Sequence, residues 1–173
     1  IVSGGWVSAW SPPEKLRPMI EPVLKTGYRV FAVRHGSSPK YLIPEIVKDV
    51  RLAHKHVHEH ASEYKIDPKR IGVFGFSAGG HLSLMLGTTS NSEAGDRPRI
   101  AAVAAVFPPT DLRPYVDPAN PLREQFPALK FDVEKGSEYS PLLQISKDDA
   151  PIILVHGDRD ELVPIWHSEK MEE

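Results

Sequence analysis

The chain has 173 residues, 40% hydrophobic and 25% charged, with a formal net charge of −2, which suits one globular domain with a real hydrophobic core. The small charge and the lack of a basic run exclude a protein that tracks nucleic-acid phosphates, and no apolar stretch reaches the roughly 20 residues that span a bilayer. Cysteine is absent, so disulfides and thiolate metal sites are excluded, while the cellular compartment stays open.

Strand and helix patterns alternate along the chain, which predicts a parallel sheet flanked by helices. Residues 1–2 are typical of the end of a strand and lead into a glycine-containing loop at 3–6. A helix is predicted from Pro13 to Lys25, because proline in the first turn of a helix loses no hydrogen bond. A short apolar strand is predicted at 28–33.

The next helix has the clearest periodicity. Its apolar residues recur at helical spacing and predict one buried stripe, formed by Ile46, Val50, Ala53, Val57, Ala61 and Tyr64. Four histidines share this segment, and their i,i+4 pairs fall on opposite flanks of the stripe, so they cannot converge on one ion. We interpret them as a solvated helix face and predict no metal site; the histidines are His54, His56, His58 and His60.

The second half of the chain continues the alternation. Residues 108–148 contain many prolines and no long period, which predicts a cap-like excursion over the strand ends rather than a separate domain, so that 1–173 form a single domain. The other predicted elements are strands at 71–74, 100–107 and 152–155 and helices at 79–86 and 163–171. The chain starts within a strand pattern and ends within a helix pattern, which predicts a fold truncated at both ends.

A Gly-Phe-Ser-Ala-Gly segment stands at 75–79, between a predicted strand and a predicted helix. This context is typical of a nucleophile elbow, in which a serine on a tight, strained turn is lifted above the sheet edge. Side chains two residues before and after that serine would collide, and glycines there supply the space. Ser77 is therefore the candidate nucleophile, and the N–H of Ala78 is a candidate oxyanion donor.

Two further loops complete the candidate site. Small residues in the loop at 3–6 let a backbone approach a substrate carbonyl, and Gly5 or Trp6 is the candidate second oxyanion donor. A loop with two aspartates, Asp158 and Asp160, follows the last predicted strand, where α/β active sites form. An Asp directly after a glycine often only closes a turn, so Asp160 is preferred as the acid of a catalytic triad, with Asp158 as the alternative.

The sequence resembles α/β-hydrolase esterases related to bacterial feruloyl and acetyl-xylan esterases. The segments that carry the resemblance are 75–82 at the elbow, 66–71 before it, and 148–151 with 156–164 around the acid. The loop at 3–6 matches the family's oxyanion loop in part, since the usual histidine is missing. The resemblance implies an α/β-hydrolase-type three-layer sandwich with a mostly parallel sheet, no metal or organic cofactor, and a carboxylic-ester hydrolase that works through an acyl-enzyme on short acyl or carbohydrate-linked esters.

The triad histidine that the resemblance implies has no counterpart, because the family places it some tens of residues beyond the acid. His167 is the best surrogate base within the chain, ahead of His35, His81 and His156. One alternative is therefore an impaired hydrolase fragment, or a non-catalytic remnant that lacks the triad histidine; another is a serine exopeptidase. The expected partner is a small-molecule ester, and the exposed edges of a truncated sheet would favour a homo-oligomer.

Overall fold

The computed structural model describes residues 1–90 and 98–173 and has at its centre a sheet of three parallel strands. In chain order, which is also their order in the sheet, the strands are β1 Gly72–Phe76, β2 Ala102–Val106 and β3 Ile152–Val155. The α-helices are α1 Pro13–Lys25, α2 Ile43–Glu59, α3 Ala78–Thr89, α4 Arg113–Val116, α5 Leu122–Gln125 and α6 Trp166–Glu172. This arrangement confirms the predicted α/β class with its parallel sheet.

Helix α3 forms the centre of the core. Each of its residues is buried, because the helix packs on β1 and β2 and lies against α2. Its sequence carries no charge, as this position requires. Its buried hydroxyls are satisfied by carbonyls one turn earlier: Ser83 donates to Gly79 at 2.8 Å, and Thr88 donates to Leu84 at 3.0 Å.

The apolar stripe predicted at 46–64 is present in part, since α2 ends at Glu59 and leaves Ala61 and Tyr64 beyond it. Ile46 and Val50 are completely or almost completely buried, and Val57 is 9% exposed. The interpretation of the four histidines as a solvated face is wrong for His54, which is buried beside these residues because it lies on the inner side of α2. His56 is exposed and stacks on His60 with ring centroids 4.1 Å apart. In residues 1–90 and 98–173, no group of three or more His, Asp or Glu could hold a metal ion.

The strand predicted at 28–33 is wrong, because no strand is assigned between residues 26 and 42. An apolar run becomes a strand only where its backbone forms a ladder of hydrogen bonds. One backbone bond reaches this segment, from Val2 N–H to the Val33 carbonyl at 3.2 Å. The terminal amine of Ile1 donates to the Phe74 carbonyl at 2.6 Å, so residues 1–3 lie between β1 and the 30–33 segment without being a strand themselves.

The excursion predicted at 108–148 contains α4, α5 and short 3₁₀ turns. On the sheet, β3 leaves Ile153 64% exposed and Val155 54% exposed. These side chains are apolar surface of the kind that self-association would use, and self-association stays a prediction. In the part of the chain that the structure describes, no helix is both long and apolar enough to cross a membrane.

Candidate active site

The carboxyl ends of the three strands meet at one edge of the sheet, because all three run in the same direction. Two backbone bonds continue the ladders to this edge. The N–H of Ser77, directly after β1, donates to the Val106 carbonyl at 2.9 Å, and Phe107 N–H, directly after β2, donates to the Val155 carbonyl at 2.7 Å. The elbow at 75–79, the excursion at 108–148 and the loop at 156–164, here called the acid loop, therefore leave the sheet side by side.

Ser77 occupies the predicted strand–turn–helix position with φ 50° and ψ −121°. Positive φ is rare for a residue with a Cβ and costs free energy that the surrounding fold supplies. The two glycines explain how the turn closes. A Cβ on Gly75 would overlap the carbonyl group of Gly79, and a Cβ on Gly79 would lie 2.6 Å from the Ile1 carbonyl oxygen. A side chain at either position would prevent this turn, so the elbow requires glycine at both.

The three predicted oxyanion donors are backbone N–H groups near this edge of the sheet. Ala78 is the first residue of α3, where an N–H has no partner within its own helix. Gly5 and Trp6 form a turn with φ of 55° and 59°, and the bond from Gly79 N–H to the Ser3 carbonyl, 3.3 Å long, ties this turn to the elbow. Within the described residues, none of the three N–H groups has a hydrogen-bond acceptor.

The side chain of Trp6 is held by His81, which from the sequence is considered only as a surrogate base. The Trp6 indole N–H donates to His81 Nδ1 at 3.2 Å, and His81 Nε2–H donates to the Tyr139 carbonyl at 2.8 Å. Since an indole can only donate, the proton of His81 is on Nε2. Burial lowers the pKa of His81 to about 4, so the ring stays neutral and continues to accept from Trp6.

A small, mainly apolar pocket opens next to Ser77. Its walls come from the loop at 3–6, from residues 109–129 and from the loop that carries Asp160. The lining residues are Gly5, Trp6, Ser77, Pro109, Tyr115, Leu122, Phe126, Leu129, Leu162 and Val163. Tyr115, Leu122 and Phe126 could not be predicted, because their region has no periodicity that would orient them.

Asp160 is anchored at the end of the loop that follows β3. Its Oδ1 accepts the N–H of Leu162 at 3.0 Å and that of Val163 at 2.9 Å. Its Oδ2 lies 3.8 Å from His156 Nε2, which leaves this oxygen for a further donor. Asp158 is exposed on the same loop. The geometry therefore supports Asp160 rather than Asp158 as the acid.

The histidines considered as bases have both ring nitrogens in use. His167 Nδ1 accepts Thr110 N–H at 3.0 Å, and its Nε2 is 2.8 Å from Tyr115 Oη. His156 Nε2–H donates to the Val163 carbonyl, while its Nδ1 accepts the Ser168 hydroxyl, both at 2.7 Å.

His35 follows the same pattern, with Nδ1–H on the Gly36 carbonyl at 2.6 Å and Nε2 accepting Ser3 Oγ–H at 2.8 Å. Among residues 1–90 and 98–173, no histidine lines the Ser77 pocket. The structure thus gives His167 a structural position and offers no support for it as a surrogate base.

A family model described as BD-FAE matches residues 1–173. A probable carboxylic ester hydrolase of Mycobacterium tuberculosis, LipM, is 31% identical over 95% of this chain and 41% of its own length. An acetylxylan esterase of Xylanibacter ruminicola is 27% identical over 69% of this chain and 24% of its own length. The chain thus spans well under half the length of these curated relatives.

Solved structures have the same fold. A truncated form of a carbohydrate esterase from gut microbiota superposes with a TM-score of 0.79 and 28% identity, covering 98% of this chain and 69% of that one. Its match extends over the sheet, the elbow and the acid loop alike, since almost the whole chain is included.

Proposed function

The chain belongs to the BD-FAE family of α/β-hydrolase-type proteins, and on this premise we propose that it is the core of a carboxylic-ester hydrolase with Ser77 as its nucleophile. One observation carries the proposal. Ser77 lies at positive φ between β1 and α3, facing a small apolar pocket beside backbone N–H groups that have no acceptor among the described residues. This geometry suits an oxygen nucleophile and a developing oxyanion.

The proposed reaction has two steps. Ser77 Oγ attacks the ester carbonyl carbon and loses its proton to a base, and the carbonyl oxygen becomes an oxyanion bound by the N–H of Ala78 and that of Gly5 or Trp6. The C–O bond to the alcohol breaks, and the alcohol leaves with a proton, so that an acyl-Ser77 remains. Water then cleaves this ester, releases the carboxylic acid and restores the Ser77 hydroxyl.

The proposed acid is Asp160. Two backbone N–H groups hold its Oδ1, so Oδ2 can orient an imidazole and stabilise the imidazolium that forms when Ser77 is deprotonated. The described histidines do not supply that imidazole in this arrangement, and the proposal assigns the base to none of them. A second candidate therefore follows from the same observation: a hydrolase core whose own residues leave Ser77 unactivated and whose turnover is low.

The pocket indicates a small acyl group. Its walls are mainly apolar, and its volume is only about 40 Å³. Relatives of the chain are a carboxylic ester hydrolase and an acetylxylan esterase, and we propose short acyl esters, including carbohydrate-linked ones, as the substrate class. In the described residues no carboxylate lines the pocket, so nothing there would bind the amine that an exopeptidase recognises.

Hydrolysis of p-nitrophenyl acetate by the chain and by its Ser77→Ala variant tests the function. We expect turnover above the buffer background, and we expect the variant to lose it, because the remaining groups bind the ester without attacking it. Mass spectrometry should find a transient acetyl group on Ser77 in the parent chain only. Equal background from both proteins, with no adduct, would support the low-turnover core instead.

The choice of acid has its own test. Asp160→Asn keeps an oxygen for the two backbone N–H groups but removes the negative charge, and in protein whose hydrolysis depends on Ser77 and on an imidazole beside Asp160 we expect turnover to fall on the order of 100-fold or more. Asp158→Asn is the matched control on the same loop and should change turnover less than twofold. A larger loss in the Asp158 variant would reverse the assignment.

A further inference from the structure

Tyr115 is the one phenol in the wall of the Ser77 pocket among the described residues, and its neighbours there are mostly apolar, including Pro109, Leu122 and Leu129. Its ring is fixed by stacking on His167, with centroids 5.5 Å apart and planes inclined by 25°. The catalytic steps described above give this hydroxyl no task. Its hydrogen-bond direction, however, can be worked out from the groups around it.

Thr110 determines which ring nitrogen of His167 carries the proton. Its backbone N–H, which can only donate, lies 3.0 Å from His167 Nδ1, and its hydroxyl donates to the His167 carbonyl at 2.7 Å. His167 Nδ1 therefore carries no proton. Burial lowers the pKa of His167 to about 4, partly opposed by Asp111, so the neutral ring has its proton on Nε2. That proton points at Tyr115 Oη, 2.8 Å away, and the phenol oxygen is the acceptor.

The hydroxyl proton of Tyr115 then has no acceptor among the described residues. Burial, with help from Asp111, raises the pKa of Tyr115, so the hydroxyl stays protonated at neutral pH. No side chain or carbonyl among the described residues accepts this proton. A bound molecule displaces the water that this hydroxyl would otherwise donate to. If the molecule offers no acceptor, the loss of that hydrogen bond weakens binding; if it offers an oxygen atom, a new hydrogen bond offsets the loss.

We propose that Tyr115 is a specificity-determining residue whose hydroxyl, oriented by His167, donates a hydrogen bond to an oxygen atom of the bound molecule that lies outside the reacting ester group. The pocket accordingly favours esters that carry hydroxyl, ether or additional acyl oxygens close to the reacting group over purely alkyl esters of similar size. This role rests on the proposed function, since it places the ester in the pocket beside Ser77. It extends that function by naming the side chain that selects among esters.

Binding in a Ser77→Ala background tests the role without requiring turnover. The probes are a peracetylated methyl xyloside, which presents acceptor oxygens on several sides, and cyclohexyl acetate, whose ring has none; dissociation constants come from NMR titration. We expect Tyr115→Phe to weaken binding of the xyloside about 3- to 10-fold, the size of one neutral hydrogen bond. Binding of cyclohexyl acetate should change less than twofold, which also shows that the pocket is intact.

Tyr64→Phe is the matched control. Tyr64 Oη makes the same kind of contact, 3.1 Å from His56 Nε2, but Tyr64 does not line the pocket, so the affinities for both probes should stay unchanged. Equal weakening of both probes by Tyr115→Phe would overturn the proposal, because the hydroxyl would then not distinguish an ester with additional oxygens from an alkyl ester. Unchanged xyloside binding, or none in the Ser77→Ala protein, would overturn it too. Failed hydrolysis of p-nitrophenyl acetate would leave this result standing, so the two failures are distinguishable.

Discussion

Acidification from pH 6.5 to pH 4.5 is expected to remove about 4 kcal/mol from the free energy of unfolding, since each of two buried histidines contributes up to about 1.4 kcal/mol per pH unit, a slope that is reached only below pH 6.5. His81 and His167 are both completely buried, and burial lowers the pKa of each to about 4. Their ring nitrogens are engaged as neutral groups. A loss of this size is comparable with the whole stability of many domains.

The sign follows from comparing the folded and unfolded chains. Unfolded histidine has a pKa near 6.5, so below that pH the unfolded chain takes up protons that the folded chain refuses. The contribution of these two histidines is therefore nearly constant above about pH 7 and falls as the pH decreases toward 4. Near His167, Asp111 opposes this effect, whereas His156, His81 and Lys170 reinforce it. His54, whose pKa burial and the neighbouring His58 also lower to about 4, adds to the loss.

Urea unfolding followed by circular dichroism at pH 7.5, 6.5, 5.5 and 4.5 measures this dependence. His81→Gln should be less stable at pH 7.5, but its stability should fall less steeply with acid, by the contribution of one proton. His56→Gln replaces an exposed ring on α2 and should keep the slope of the parent chain. A free energy of unfolding that is the same at pH 7.5 and pH 5 would refute the assignment of neutral buried rings.

Substitution of Gly75 by alanine is expected to destabilise the fold by at least about 3 kcal/mol, at the upper end of overpacking effects. The added Cβ would overlap the carbonyl carbon and oxygen of Gly79 and lie 2.9 Å from the Gly80 nitrogen. These are backbone atoms at the start of the buried helix α3, so no flexible side chain can move aside. Relief requires a shift of the elbow itself, which would also displace Ser77 and abolish Ser77-dependent hydrolysis.

The midpoint of thermal unfolding measures this effect, and a loss of about 3 kcal/mol corresponds to a decrease of roughly 6–12 °C for a chain of this size. Gly157→Ala is the control, since a Cβ at Gly157 meets nothing within 4 Å and this residue has no positive φ. Its midpoint should move by less than about 2 °C. A Gly75→Ala protein with the midpoint and the hydrolysis of the parent chain would show that the elbow is looser than the geometry implies.

The two predictions explain why the elbow region is so tightly specified. His81 holds the Trp6 side chain, and Gly75 and Gly79 let the turn close around Ser77. Strain at Ser77 can persist because the Trp6–His81 hydrogen bond and the two glycines lie in the buried interior. A compensating movement there would open a cavity or leave a polar group without a partner. The buried residues around the turn thus hold the candidate nucleophile in place.

Several elements could be read from the sequence because their causes are local. The strand at Ile152–Val155 has the predicted bounds, and so does α1. The elbow was predictable because steric overlap around Ser77 involves residues two positions away. The last helix was predicted from residue 163 but begins at Trp166. Val163 is held outside it, since its N–H donates to Asp160 and its carbonyl accepts from His156.

By itself, the sequence determined the α/β class, the position of Ser77 and the strand end that carries Asp160, because alternating patterns and glycine spacing act over a few residues. Tertiary structure alone decided the rest. The run at 28–33 is not a strand, since that depends on a partner distant in the chain. His167 became a fixed donor to Tyr115 rather than a candidate base, because Thr110, 57 positions earlier, occupies its Nδ1. A hydrogen bond between remote residues leaves no periodic trace in the sequence, and only the folded chain shows which histidine nitrogens are already taken.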